Sequence, residues 1–176
     1  VKNIFSLDNM GSRESFMKDL ETRLSAGMKR AYWDMMEKDI SNNDFRTTFA
    51  MVEEIRARIC LLVPKRVDLH QQIAESLDID YFKQMQSHNA LTIDMVQKIT
   101  NYIIDKIKEL GSQSDEPWNE IWRERVNSKF IQNEPLTVIL PSFFKEAMHR
   151  IEKLEYEIKM FKESEIYKLL TERNNT

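Results

Sequence analysis

Cysteine is nearly missing from this chain of 176 residues. Only Cys60 is present, which excludes an internal disulfide framework and a metal site built on cysteines. That usage fits a cytosolic or nuclear compartment, and we expect a cytoplasmic protein. Glycine and proline are also scarce, at three and four residues, so few turns are spelled out and no glycine-rich phosphate loop or dinucleotide fingerprint can be built. No stretch reaches the roughly 18 uninterrupted apolar residues of a membrane helix, so no transmembrane segment is expected. There is no positive excess either. A net charge of −3 speaks against a general nucleic-acid binder. The first fifteen residues lack a basic start followed by an apolar run, so no signal peptide is expected. Val1 in place of methionine suggests a trimmed piece of a longer chain.

What is present is helical pattern. Hydrophobic residues make up 41% and charged residues 31%, enough for a real core under a solvated surface. Ten methionines suit helix packing, because the flexible thioether fills irregular gaps. The stretch Asp44 to Arg66 organises the chain. Phe45, Phe49, Val52, Ile55, Ile59 and Leu62 recur in steps of three and four, one side of a helix. Asp44 is its expected N-cap and Pro64 its stop. Every other segment reads as a partner for this face.

In chain order, residues 1–12 read as a lead-in, ordered if Ile4, Phe5 and Leu7 find a groove. A first helix is predicted from Ser12 or Ser15 to about Asp39, with Phe16, Leu20, Leu24, Met28, Tyr32, Met35 and Met36 inward and Gly27 permitting a close crossing. The short turn Ser41–Asp44 makes helices one and two an antiparallel αα-hairpin. Within helix two, Glu54 and Arg58 are spaced for an ion pair. A third helix places Val67, His70, Ile73, Ala74 and Leu77 inward. A short one carries Tyr81, Phe82 and Met85, and a long one runs from Thr92 to Gly111. Residues 111–117 are the clearest linker. A helix with Trp118, Ile121, Trp122 and Val126 on one face follows it. Val138-Ile139-Leu140 alone allows a strand, and Pro141 opens a last, longest helix to about Leu170. Its stripe holds for nearly three heptads, short of a coiled coil. The expected fold is all-α, an irregular bundle of six to seven helices that opens with the hairpin and ends in the long helix. We expect one domain over 1–176, with a sub-boundary at 111–117 and residues 115–173 as a second layer.

Reactive residues do not assemble into a familiar site. His70, His88 and His149 have no second ligand at metal spacing, and His70 reads as a hydrogen-bonded core residue. Asp78 and Asp80 are a close carboxylate pair, but their simplest role is to favour the start of the next helix. Cys60, mid-helix beside two leucines, reads as a core residue and not a nucleophile. No catalytic, cofactor-binding or metal residue is assigned. Arg58, Lys65 and Arg66 form a modest basic patch, and Trp118 with Trp122 an aromatic pair. These five are the candidate partner-binding residues.

Ala31-Tyr32-Trp33-Asp34 is followed in order by Val52-Glu53-Glu54-Ile55, Leu61-Leu62-Val63-Pro64-Lys65-Arg66, Leu77-Asp78-Ile79-Asp80 and Ala90-Leu91. In order and spacing this set resembles the N-terminal half of the T-complex protein 11 family, over about residues 28–110. Where family members carry Cys-Ala-Pro-x-Arg-Asp, this chain reads Gly111-Ser112-Gln113-Ser114-Asp115-Glu116. The resemblance implies an all-helical, non-enzymatic protein without cofactors. It also implies a link to cyclic-AMP and protein kinase A signalling and, in animals, to sperm function. The resulting expectation is an adaptor that acts by binding other proteins or a second copy of itself. The alternatives are an enzyme using Asp78, Asp80 and His88, or a peripheral membrane protein using the last helix. The mixed charge of that helix's polar face argues against the membrane.

Overall fold

A computed structural model describes the backbone of residues 8–175, and the side chains of residue 13 and of residues 15–175. The lead-in residues Ile4, Phe5 and Leu7 lie outside it. The described residues form eight α-helices and no strand: α1 Asp8–Ser41, α2 Arg46–Leu62, α3 Val67–Ser76, α4 Ile79–Ser87, α5 Ile93–Leu110, α6 Glu116–Ile131, α7 Leu136–Lys162 and α8 Glu165–Asn174, with a 3-10 turn at Gln113–Asp115. The all-α bundle is as the periodicities require.

α2 buries the predicted face. Phe45, Phe49, Val52, Ile55 and Ile59 are all in the core, and Leu62 packs at its edge. Asp44 serves the first turn from one residue further out than expected. Its Oδ1 accepts the Arg46 amide at 3.0 Å while its carboxylate pairs with the Arg46 guanidinium at 2.7 Å. The α1–α2 hairpin is closed by the Tyr32 hydroxyl, which donates to the Thr47 carbonyl at 3.1 Å, and by Thr47 Oγ1 donating to Asp39. α2 is not the sole hub, however. It packs on α1, α3, α4 and α7, whereas α7 packs on α1, α2, α5, α6 and α8. Two helices share the centre because α7 also carries an apolar row: Ile139, Leu140, Phe143, Phe144, Ala147, Ile151 and Leu154 are all buried.

Three helices end the same way. After α1, α4 and α6, Asn43, Asn89 and Asn133 adopt φ of 58°, 52° and 55°. The next amide reaches back five residues: Asp44 to Asp39, Ala90 to Met85 and Glu134 to Lys129, at 2.8, 2.8 and 3.1 Å. This is the helix stop that glycine usually provides. Asparagine takes the left-handed conformation at lower cost than other side chains.

Several expectations fail at the ends of elements. α1 is already helical at Asp8, so Ser12 and Ser15 lie within it and do not cap it. Every described side chain up to Ala31 is exposed, including Phe16, Leu20, Leu24 and Met28. Only Met36 of the predicted row is fully buried. Gly27 makes no close crossing, since a Cβ built there meets nothing within 4 Å. Gly27→Ala should therefore stabilise the helix, by about 0.5–1 kcal/mol. A urea titration followed by circular dichroism reads this, and a loss of stability would mean that the Gly27 surface is packed. In α3, Leu69 takes the inward place given to Val67 and Ala74, which are exposed. Val138–Leu140 is helix, not strand. α7 begins at Leu136, and Pro141 sits buried inside it, unable to donate to the Thr137 carbonyl. Burying Ile139, Leu140, Phe143 and Phe144 around that proline outweighs the missing bond. The long helix also stops earlier than expected, at Lys162. Ser164 Oγ accepts the Tyr167 amide at 3.4 Å and starts α8.

Candidate binding surface

Of the residues singled out for chemistry, Asp78, His70 and Cys60 have structural places, and Asp78 and His88 stand at opposite ends of one helix. Asp78 Oδ1 accepts the Tyr81 amide at 3.1 Å and caps α4, while His88 caps the other end of the same nine-residue helix. At about 1.5 Å per residue these ends lie too far apart to share a pocket. His70 Nε2 faces the Cys60 and Val63 carbonyls at 3.0 and 2.7 Å, closing the C-terminal turn of α2. Cys60 is half-buried, and burial pushes its thiol up from the ordinary value, away from the reactive thiolate. Among the described residues, no cluster of His, Cys, Asp or Glu is arranged to hold a metal ion, and no helix is long and apolar enough to cross a membrane.

The five candidate partner residues separate. Arg58 turns away from Glu54 and pairs with Glu155 of α7 at 2.6 Å, tying α2 to α7. Arg66 pairs with Asp68 at 3.0 Å, and Lys65 is exposed beyond Pro64. Trp122 is in the core. It stacks on Phe143 at 5.4 Å and lies under the Arg150 guanidinium at 4.7 Å. Trp118, one turn earlier, is exposed.

The α5–α6 face is committed to holding the bundle together. Asn101 and Asn127 exchange side-chain amide hydrogen bonds at 3.0 and 3.2 Å. Arg123 reaches across from α6 to Asn101 and Asp105. The linker is pinned as well: Asp115 accepts from Lys153 of α7 at 2.9 Å and from Ser112 at 3.0 Å. The Lys153 ammonium, then Ser112, hold the Asp115 carboxyl below the usual carboxylate value. A carboxylate lowered in this way adds stability above its unfolded value of about 3.9 and loses it as pH falls through the lowered one. Asp115 in turn raises the Lys153 ammonium, whose contribution is lost as pH rises through the raised value. Lys153→Ala should thus flatten the acid side of the melting temperature–pH profile and also its far alkaline side. An unaltered acid limb would show that the pair does not form.

Two grooves remain open on the α2–α7 side. One, of about 420 Å³, lies between the C-terminal halves of α2 and α7, over Leu61, Leu62 and Ile158. The other, of about 340 Å³, lies where α1, α2 and α7 meet. Tyr32, Trp33, Met51 and Met148 form its apolar wall, with Lys29, Lys145, His149 and Glu152 around them. Tyr32 and Trp33 meet edge to face at 5.3 Å. Burial, then the nearby Glu54 charge, raises the Tyr32 hydroxyl, which stays neutral as a hydrogen-bond donor. The sequence marked Tyr32 as part of the inward row of the first helix, and Tyr32 and Trp33 together as part of a family motif. That Met51 and Met148 close the wall depends on how three helices cross, which no local pattern reveals.

The chain has relatives among known proteins. The T-complex protein 11 family profile matches residues 7–163. The human T-complex protein 11 homolog is 30% identical over 82 residues, covering 45% of this chain and 16% of that relative. The matched part is therefore a small fraction of that protein's length. No solved structure matches. With the family match covering most of its length, the chain belongs to the T-complex protein 11 family.

Proposed function

We propose that this chain is a non-catalytic helical adaptor that works by binding other proteins, in cyclic-AMP and protein kinase A signalling. The observation that carries the reading is two rows of apolar side chains left uncovered among the described residues. Phe16, Leu20, Leu24 and Met28 on α1, and Ile166, Leu169 and Leu170 on α8, are all more than a third exposed. Clustered exposed apolar side chains are what interaction surfaces present. Asp78 and His70, two of the residues suited to acid–base chemistry, are meanwhile spent on helix ends. The family membership supports the binding role, and the signalling context comes from the family resemblance.

Photo-crosslinking in cells tests the binding role. A photoreactive side chain at Leu24 or Leu169 should give discrete protein adducts, while one at the exposed polar Glu53 should not. Equal labelling at all three positions would overturn the adaptor reading. The signalling context has its own test. Purified chain, added to protein kinase A holoenzyme, should shift the cyclic-AMP concentration for half-activation, and Leu24→Glu should weaken the shift. No shift at saturating chain would remove protein kinase A from the account.

A further inference from the structure

We propose that the seam between α1 and α7 is the docking groove for one amphipathic helix of a partner protein. Its bulky apolar anchor would seat against Trp33, and its carboxylates would face Lys29 and Lys145. This rests on the adaptor reading and gives it a place and a chemistry.

The two helices run antiparallel here, because Lys29 meets Glu152 at 4.0 Å while Trp33 shares the groove with Lys145 and Met148. Residues four apart lie in a row on a helix surface. On α1 the row from Tyr32 continues through Met28 and Leu24 to Leu20. On α7 the row from Glu152 continues through Tyr156 to Met160. Beyond Tyr32 these apolar side chains are exposed, from 39% for Leu20 to 74% for Met28. A partner helix of about 14 residues, anchored in the Trp33 pocket, would cover about 20 Å of α1 along this exposed row, from Tyr32 to Leu20.

The Trp33 pocket holds about 340 Å³, at the lower limit for small-molecule sites. It suits one anchoring side chain better than a whole metabolite. Aromatic and methionine walls are the surfaces that take such anchors.

Charge selects the occupant. Among the described residues, Lys145 and His149 have no ion pair or hydrogen bond, and Lys29 and the one carboxylate of the lining, Glu152, have only their long contact with each other. Lys145 lies in mid-helix, so the negative C-terminal end of a helix does not account for it. A rim with the unpaired Lys145, and with Lys29 held only by a long contact, above an apolar floor fits a helix that carries carboxylates next to its apolar stripe. It repels a basic one.

A display library of helix-forming peptides of about 16 residues, selected on the folded chain, tests this. Enriched sequences should carry apolar residues at i, i+4 and i+7 flanked by glutamate or aspartate. Lys145→Glu, at an exposed position, should weaken the best synthetic peptide by about tenfold, as loss of an interface contact of this kind does. Trp33→Ala should weaken it further, with folding checked by circular dichroism, and Trp118→Ala should leave it unchanged. Selected peptides that bind but ignore Lys145→Glu and Trp33→Ala would overturn the seam and leave the adaptor reading standing. No enrichment would overturn the seam, whereas the adaptor reading answers to the crosslinks. Two occupants would contradict the proposal directly. One is a second copy, seen as a dimer in sedimentation that Lys145→Glu dissolves. The other is a lipid surface, seen as Trp33-dependent binding to vesicles of anionic phospholipid with no peptide selected.

Discussion

Trp122→Ala should be the most damaging single truncation, costing about 3–5 kcal/mol of stability. Trp122 is 2% exposed, packed between α6 and α7. Removing its ring leaves a cavity against Phe143 and takes away the face on which Arg150 rests. Arg150 also donates to Glu146 and to the buried Asn119 at 2.9 and 2.6 Å, so its displacement would unsettle a polar contact inside the bundle. For a chain of this size the loss corresponds to a melting temperature lower by about 10 °C. Trp118→Ala, four residues away on the same helix, removes a ring that is 64% exposed and should change stability by less than about 0.5 kcal/mol. Thermal and urea unfolding of the two variants separates them. Equal losses would mean that α6 is rotated from the position described.

Ile55→Ala should cost about 2–5 kcal/mol. The side chain is fully buried on the face of α2, a helix that packs on α1, α3, α4 and α7 at once. The lining of the hole belongs to several helices, so no one of them can relax into it without loosening its other contacts. Leu61→Ala on the same helix removes a side chain that is 75% exposed and should have little effect. Urea midpoints at constant slope measure both. Similar midpoints for the two variants would contradict the buried face of α2.

That buried face was legible in the sequence because its period is unbroken from Phe45 to Ile59 and each of those apolar residues is needed inside. The same reasoning misplaced Phe16 to Met28. Their spacing is equally helical, but periodicity reports only that a helix has an apolar side, not that the chain supplies something to cover it. The core half of α1 begins only where α2 and α7 come alongside. Helix ends were obscure for another reason. Three stops use asparagine at positive φ where glycine would have announced them, and Pro141 lies inside a helix it was expected to start. Burial of its neighbours decided that case against local preference. The candidate pair Trp118 and Trp122 looked alike in sequence, yet the two rings lie on opposite sides of the boundary between core and solvent. The groove at Trp33 needs α1, α2 and α7 together, and Lys145 gains meaning only from having no partner there among the described residues.

The most direct test of the binding account is hydrogen exchange on the chain, free and saturated with a library-selected peptide. Residues 13–28 of α1 have no buried side chain among those described, so their amides should exchange fast in the free chain. A helix docked along the seam should slow them by more than about tenfold, together with the stretch of α7 around Tyr156 and Met160, and leave α5 and α6 unchanged. Slowing confined to α5 and α6, or none along α1, would contradict the account.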